Sequence, residues 1–296
     1  MFVATTPLWC SSIFFFDYGG ITYMHYFIDF ILTKRCNLNC KYCTSRASIC
    51  TTDCEYDLTQ FKRDIDHLFD IGMDFTAVLI GGEPFCNKNI FEYAEYIRSK
   101  SKDIPIAIFT NGKYLLTASD EIYKKLHELK ISLWITIYGL AGIDYNKIFQ
   151  RCATNSVMNR MTHYNQIINT HTFYKYSLIR NEMGIYKLSE NSPQKDNKLR
   201  KCMLPFTDDK PVCVRVFNGI LYYAACLPML GDIDKKFNTD FKSKLIENED
   251  YICIKNITIP EISVKTVKFC KKHCVHCGKA TWTRSDKTRE EFLYDA

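Results

Sequence analysis

Apolar and polar positions along this chain follow two periods. Short apolar runs at 26–32, 75–80, 104–110 and 131–138 have strand length. Between them, apolar residues recur every three or four positions, as on one face of a helix. Leu58, Phe61, Ile65 and Leu68 mark a helix over 56–71, and further helices are expected over 90–99 and 119–129. Helical pattern resumes over 145–168, and 172–179 alternates like a fifth strand. A sixth strand is not legible. Strands separated by helices of this length predict a parallel sheet of βαβ units.

The pattern changes near residue 190. Residues 187–200 are polar and turn-rich and read as a linker. Beyond them, 212–217 and 220–223 flank Asn218-Gly219, a strong hairpin signal because Asn-Gly supplies the positive φ of a tight turn. The remainder is punctuated by cysteines. Two regions are therefore expected, a βα region over 24–190 and a smaller one over 191–296. Residues 1–23 stand apart as an N-terminal extension. Their apolar run, 8–16, has no preceding basic residue and is too short to span a bilayer, so neither a secretory signal nor a membrane anchor is expected. Met24, just before the first strand, is the expected translation start.

Composition narrows the function. The 296 residues are 47% hydrophobic and 24% charged, enough for a sizeable core. The net charge of +6 is spread along the chain, without the concentrated basic stripe of a nucleic-acid binder. Fifteen cysteines are unusual, and three fall within 36–43 and three within 270–277. Clusters so tight favour shared metals over long-range disulfides, and thiolate-rich metal sites point to the cytoplasm. No Ser-His-Asp arrangement or phosphate-binding glycine loop is present. His273 and His276, beside Cys274 and Cys277, read as packing or solvated residues.

The sharpest signal is Cys36-Asn-Leu-Asn-Cys40-Lys-Tyr-Cys43, on the loop after the first strand. Three thiolates in eight residues can wrap one compact cluster. Structural zinc takes four ligands, and Cys50 or Cys54 would have to complete such a site. A four-iron four-sulfur cluster on three cysteines instead leaves one iron open to a small molecule. This loop, with an aromatic residue before its last cysteine, resembles that of the radical S-adenosylmethionine (SAM) superfamily. So does Gly81-Gly82-Glu83-Pro84 at the end of the second strand, matching the family's GGEP motif. Thr110-Asn111-Gly112 and the strand end at Thr136 and Tyr138 follow in the family's order.

The resemblance implies a partial (β/α)6-type barrel with Cys36, Cys40 and Cys43 holding the SAM-binding 4Fe-4S cluster. It places Tyr42 beside the adenine and Gly81, Gly82, Glu83 and Pro84 at the methionine amino group, with Asn111 and Thr136 as further cofactor contacts. The later cysteines resemble the family's auxiliary-cluster extension, called SPASM in full and Twitch when truncated. This implies a small C-terminal cysteine-rich α+β domain holding a second 4Fe-4S cluster on Cys202, Cys226, Cys274 and Cys277. Cys213 and Cys270 are alternates, and zinc in the same place is the alternative metal. Cys10, Cys50, Cys54, Cys86, Cys152 and Cys253 read as free thiols, Cys86 lying close to GGEP.

As an oxidoreductase-like or peptide-modifying member, the protein would cleave SAM reductively to a 5′-deoxyadenosyl radical. That radical would abstract hydrogen from a peptide or protein, a sugar or another small molecule. An electron donor such as flavodoxin or ferredoxin is implied, and neither nucleic acid nor membrane is an expected partner. Two other readings stand beside this one. A glycyl-radical-enzyme activase shares the cysteine triplet, and a non-enzymatic zinc or iron–sulfur protein would explain the cysteines but not GGEP.

Overall fold

A computed structural model describes residues 17–18, 21–22, 25–38, 47, 50, 54–137, 143–163, 173–174, 213–224, 227–258 and 282–283. In chain order the main elements are β1 (Tyr26–Thr33), α1 (Leu58–Asp70), β2 (Phe75–Gly81), α2 (Ile90–Lys100) and β3 (Ile106–Thr110). There follow α3 (Asp120–Glu128), β4 (Ile131–Ile137), α4 (Tyr145–Thr154), β5 (Asn159–His163), β6 (Cys213–Phe217), β7 (Ile220–Tyr222), α5 (Leu230–Phe237) and β8 (Tyr251–Cys253). Two-residue strands pair separately, Asp17–Tyr18 with Ile21–Thr22 and Phe173–Tyr174 with Trp282–Thr283.

One eight-stranded sheet runs in the order β8-β7-β6-β1-β2-β3-β4-β5. The six strands from β6 to β5 are parallel to their neighbours, while β7 and β8 join antiparallel. The helical face of β1 carries Ile28, Phe30 and Leu32, all buried. Phe30 meets Phe61 of α1 edge-on at 5.2 Å, and Phe61 meets Tyr93 of α2 at 4.9 Å. The opposite face carries Phe27, whose ring lies 6.3 Å from that of Trp134 on β4. Three strand spacings separate β1 from β4, roughly 14 Å in a flat sheet. The sheet is therefore curled, a partial barrel with Phe27, Phe109 and Trp134 packed inside it.

Four of the expected strands stand where the apolar runs place them. The third begins at Ile106 rather than 104, because Pro105 has no N–H to give a ladder. The helix expected over 145–168 ends at Thr154 instead. Ser156 takes a positive φ of 54°, and the backbone then pairs Asn159–His163 in parallel with Leu133–Ile137. Here an open strand edge captures a segment whose own pattern favoured helix. Of the strand expected over 172–179 only Phe173–Tyr174 is described. The linker over 187–200 lies outside the described residues.

The hairpin forms as its turn residues demand, with Asn218 and Gly219 at φ 46° and 81°. It also continues the main sheet across the expected boundary at residue 190, because β6 pairs in parallel with β1 from Phe27–Cys213 to Phe30–Val216. Side chains lock the turn onto α1. Asn218 Oδ1 accepts the Asp57 N–H at 2.8 Å, and the Gly219 N–H donates to buried Asp64 at 2.9 Å. Tyr56 and Gln60 also donate to Asp64. Among the described residues, no helix is long and apolar enough to cross a membrane.

A buried ion pair also links the two regions. Lys34, next after β1, reaches Asp232 of α5 at 2.8 Å, with only 8% and 4% of the two side chains exposed. The same ammonium sits over the Phe217 ring at 4.6 Å. Breaking such a pair from one side strands a buried charge. Asp232→Ala is expected to cost about 3–5 kcal/mol in denaturant unfolding, and Lys34→Met combined with Asp232→Leu to recover most of it. A loss below about 1 kcal/mol would show the pair to be no more than a surface contact.

Candidate functional site

The cysteine loop leaves β1 at Thr33 and returns beside it. Thr33 and Glu55 form an antiparallel bridge, the Lys34 N–H donates to the Cys54 carbonyl at 2.6 Å, and the Tyr56 N–H to that of Leu32 at 3.0 Å. The Thr33 hydroxyl adds a bond to Glu55 Oε1 at 3.0 Å. The loop over 36–53 is thus closed at its base. Cys50 and Cys54 are joined in a disulfide, their Cα atoms 6.4 Å apart. This corrects the expectation that both are free thiols, and it withdraws both from the zinc alternative, since a bridged sulfur is no thiolate ligand. Their separation of four residues, on a chain already turning back on β1, brings them within bridging reach. Cys86, Cys152 and Cys253 are free, as expected.

The end of β2 packs against the same segment. A Cβ on Gly81 would lie 2.0 Å from the Thr33 carbonyl oxygen, and one on Gly82 2.3 Å from that of Arg35. The close approach these glycines permit is therefore to protein backbone. It lets the Gly82 N–H donate to the Thr33 carbonyl at 2.9 Å and the Glu83 N–H to the Arg35 carbonyl at 2.7 Å. Pro84 then opens a short 3₁₀ turn, where its missing N–H costs nothing.

Glu83 points inward and is only 1% exposed. Its Oε1 accepts the Thr110 hydroxyl at 2.8 Å and the Phe85 N–H at 3.3 Å, and its Oε2 accepts the Asn111 N–H at 2.8 Å. Burial outweighs these three donors and pushes the carboxyl up to about 7. Asn111 faces the cysteine loop, its side-chain amide 2.9 Å from Asn37 Oδ1 and 3.8 Å from Cys36 Sγ. The Leu38 N–H also approaches Cys36 Sγ, at 3.4 Å. Burial and the nearby Glu83 carboxylate raise the Cys86 thiol.

Cys36, Gly81, Gly82, Glu83, Pro84 and Asn111 thus come together at neighbouring strand ends, where parallel βα folds bind ligands. Thr136 stands half-buried near the end of β4, paired in register with Thr162. Tyr42, Cys40, Cys43, Tyr138, Cys202, Cys226, Cys270, Cys274 and Cys277 lie outside the described residues, and of Cys213 only its place at the start of β6 is described. Thr110, Asn37 and the Lys34–Asp232 pair escape sequence reasoning. For Thr110 a signal existed, its place in Thr-Asn-Gly; for a pair 198 residues apart there was none.

The donor chemistry fits an iron–sulfur cluster on this loop. N–H groups directed at a cysteine sulfur favour its thiolate form and are among the groups that tune such clusters.

The Glu83 carboxyl carries a pH signature. Its folded value of about 7 lies above the unfolded 4.5, so the folded chain holds the extra proton between them. Stability must fall as pH rises through that window and level off above it, by about 3 kcal/mol in all. Unfolding of the cluster-free protein from pH 4 to 8 should show this slope, and Glu83→Gln should remove the Glu83 share of it, leaving the contribution of Asp64, whose carboxyl burial also raises. The Gln amide faces a donor and shifts every point equally, so the slope alone is diagnostic. Equal slopes in the two proteins would place the Glu83 carboxylate in contact with water.

Comparison with known proteins fits this site. Residues 30–178 match the family model of the Radical SAM superfamily. The chain is similar to the Fe-coproporphyrin III synthase of Methanosarcina barkeri, 34% identical over 101 residues, covering 34% of this chain and 24% of that protein. It is also similar to the GTP 3′,8-cyclase of Desulforamulus reducens, 32% identical over 105 residues, covering 34% and 32%. The matched stretch therefore spans about a quarter to a third of these relatives. The solved structure of BtrN in complex with AdoMet and 2-DOIA superposes with a TM-score of 0.51 at 16% identity, over 91% of this chain and 97% of that one, and shares the fold. With the matched segment running from β1 past β5, through the clamped cysteine loop and GGEP, the chain belongs to the radical SAM superfamily.

Proposed function

We propose that this protein cleaves S-adenosylmethionine reductively and uses the 5′-deoxyadenosyl radical to abstract hydrogen from a substrate. The observation that carries this reading is the convergence of Cys36, GGEP and Asn111 on one set of strand ends. A 4Fe-4S cluster on Cys36, Cys40 and Cys43 supplies the electron. The protein's own part is to hold the cofactor and exclude water. Tyr42 lies beside the adenine, the Gly81–Pro84 strand end faces the methionine ammonium, and Asn111 and Thr136 complete the cofactor-facing edge. Glu83, raised to about 7 by burial, gains negative charge as that ammonium arrives.

The substrate is a peptide or protein, a sugar or another small metabolite, entering the curled face of the sheet. That face offers aromatic surface at Phe27, Phe109 and Trp134. It also offers the Asp29–Arg215 pair, 3.5 Å apart on adjacent strands, as a polar contact. The names of the relatives, a GTP cyclase and a porphyrin synthase, support the small-molecule side of this range. A low-potential donor of the flavodoxin or ferredoxin type in the cytoplasm fits the chemistry.

A second 4Fe-4S cluster on Cys202, Cys226, Cys274 and Cys277 completes the proposal, with Cys213 and Cys270 as alternates and zinc as the alternative metal. The β6–β7 hairpin between Cys202 and Cys226 supports this reading.

Anaerobic reconstitution with iron and sulfide, followed by dithionite and SAM, should yield 5′-deoxyadenosine. Cys36→Ala should abolish that product, and persistent cleavage would reject the assignment. Replacing Cys274 and Cys277 with alanine should behave differently, because the two sites share no ligand. About half the iron should be lost if the clusters are alike, while substrate-free cleavage continues. Zinc leaving with that pair would mark a structural zinc site. Loss of cleavage with the first cluster intact would contradict the division of roles.

A further inference from the structure

The side-chain amide of Asn111 has an orientation fixed by its neighbours. Its Oδ1 accepts the Lys113 backbone N–H at 2.9 Å, a contact that an NH₂ group cannot make. The NH₂ must therefore face the other way, toward Asn37 and Cys36. It carries two hydrogens about 120° apart. One meets Asn37 Oδ1 at 2.9 Å, and the other is left to point at Cys36 Sγ, 3.8 Å from the nitrogen.

The backbone around this amide is held as firmly. The Asn111 N–H donates to Glu83 Oε2 at 2.8 Å, its carbonyl accepts the Tyr145 hydroxyl at 3.4 Å, and the residue is 6% exposed. Gly112 supplies the positive φ, 80°, of the turn that follows, and its N–H donates to the Thr110 hydroxyl at 3.0 Å. Lys113 Nζ adds a contact to the Asn37 carbonyl at 3.4 Å. A donor aimed at a sulfur from so fixed a position does more than fill space.

We propose that Asn111 is a positioning residue that donates a hydrogen bond to Cys36 Sγ and thereby raises the reduction potential of the cluster bound there. The inference rests on the reading that Cys36 ligates an iron–sulfur cluster. A hydrogen bond withdraws electron density from the thiolate, so the reduced and more negative cluster gains more from it than the oxidised one. Removing the donor makes reduction harder.

The test compares the reconstituted wild-type protein with Asn111→Ala and Asn111→Ser. Serine keeps a short oxygen for the Lys113 N–H, so the turn survives while the NH₂ donor is lost. Three quantities are read without substrate: iron and sulfide per chain, the midpoint potential by EPR-monitored titration, and the iron–sulfur stretching frequencies by resonance Raman. Expected are unchanged iron, a reduction equilibrium roughly tenfold less favourable (about 59 mV more negative for one electron) and stretches shifted to higher frequency in both variants. Wild-type potential and frequencies in an iron-loaded variant would overturn the proposal. Loss of iron in both variants would also overturn it, since Asn111 would then serve assembly. A wild-type protein that takes up no iron at Cys36 would overturn the underlying reading and the inference with it.

Discussion

The site depends on a backbone-to-backbone contact that only glycine allows. Carbonyl oxygens of Thr33 and Arg35 occupy the space where Gly81 and Gly82 would carry Cβ atoms. Because that space is taken, the Gly82 and Glu83 N–H groups reach those carbonyls and join the start of the cysteine loop to the end of β2. Register then does the rest. Once β1 and β2 are paired from Tyr26–Phe75 to Thr33–Gly81, the direction of the chain into Cys36 is set. Any side chain at 81 or 82 would push the two strand ends apart and move Cys36 away from Asn111. The motif is a structural joint before it is a ligand contact.

The joint is reinforced from the other side of β1. β6 pairs along β1, its turn is tied to α1 through Asp57 and Asp64, and α5 sends Asp232 to Lys34. The base of the cysteine loop is therefore gripped between β2 on one side and the C-terminal elements on the other. Lys34 is two residues from Cys36, so this ion pair fixes the chain close to where the cysteine loop begins. This gives the later part of the chain a role at the first site that does not depend on any metal of its own.

Much of the architecture was legible because it rests on local signals. Apolar runs located β1 to β4, helical spacing located α1 to α3, and Asn218-Gly219 located the hairpin turn. Cys36 and GGEP are two motifs that the fold brings to neighbouring strand ends. Most of the misses share a different cause, since they depend on partners distant in sequence. Residues 159–163 carry a helix-like pattern until the open edge of β4 claims them. No sequence signal announces the pairing of the hairpin with β1. Cys50 and Cys54 are only four residues apart, and spacing alone does not distinguish a bridged pair from two thiols. The two glycines were recognised, but the neighbour that requires them was not, since it is backbone and backbone leaves no compositional trace.

Glu83 shows how such a joint can also carry electrostatics. A carboxyl held near 7 by burial sits close to its midpoint at neutral pH, neither firmly charged nor firmly neutral. A positive group arriving at the strand end favours the charged form and lowers that value. Ionisation in turn strengthens the bonds from Thr110 and Asn111, because a carboxylate is the better acceptor. The same Asn111 faces Cys36 with its side-chain amide. Glu83, Asn111 and Cys36 thus form one chain of contacts, and a change of charge at the buried acid alters the bond that holds the Asn111 backbone beside the sulfur.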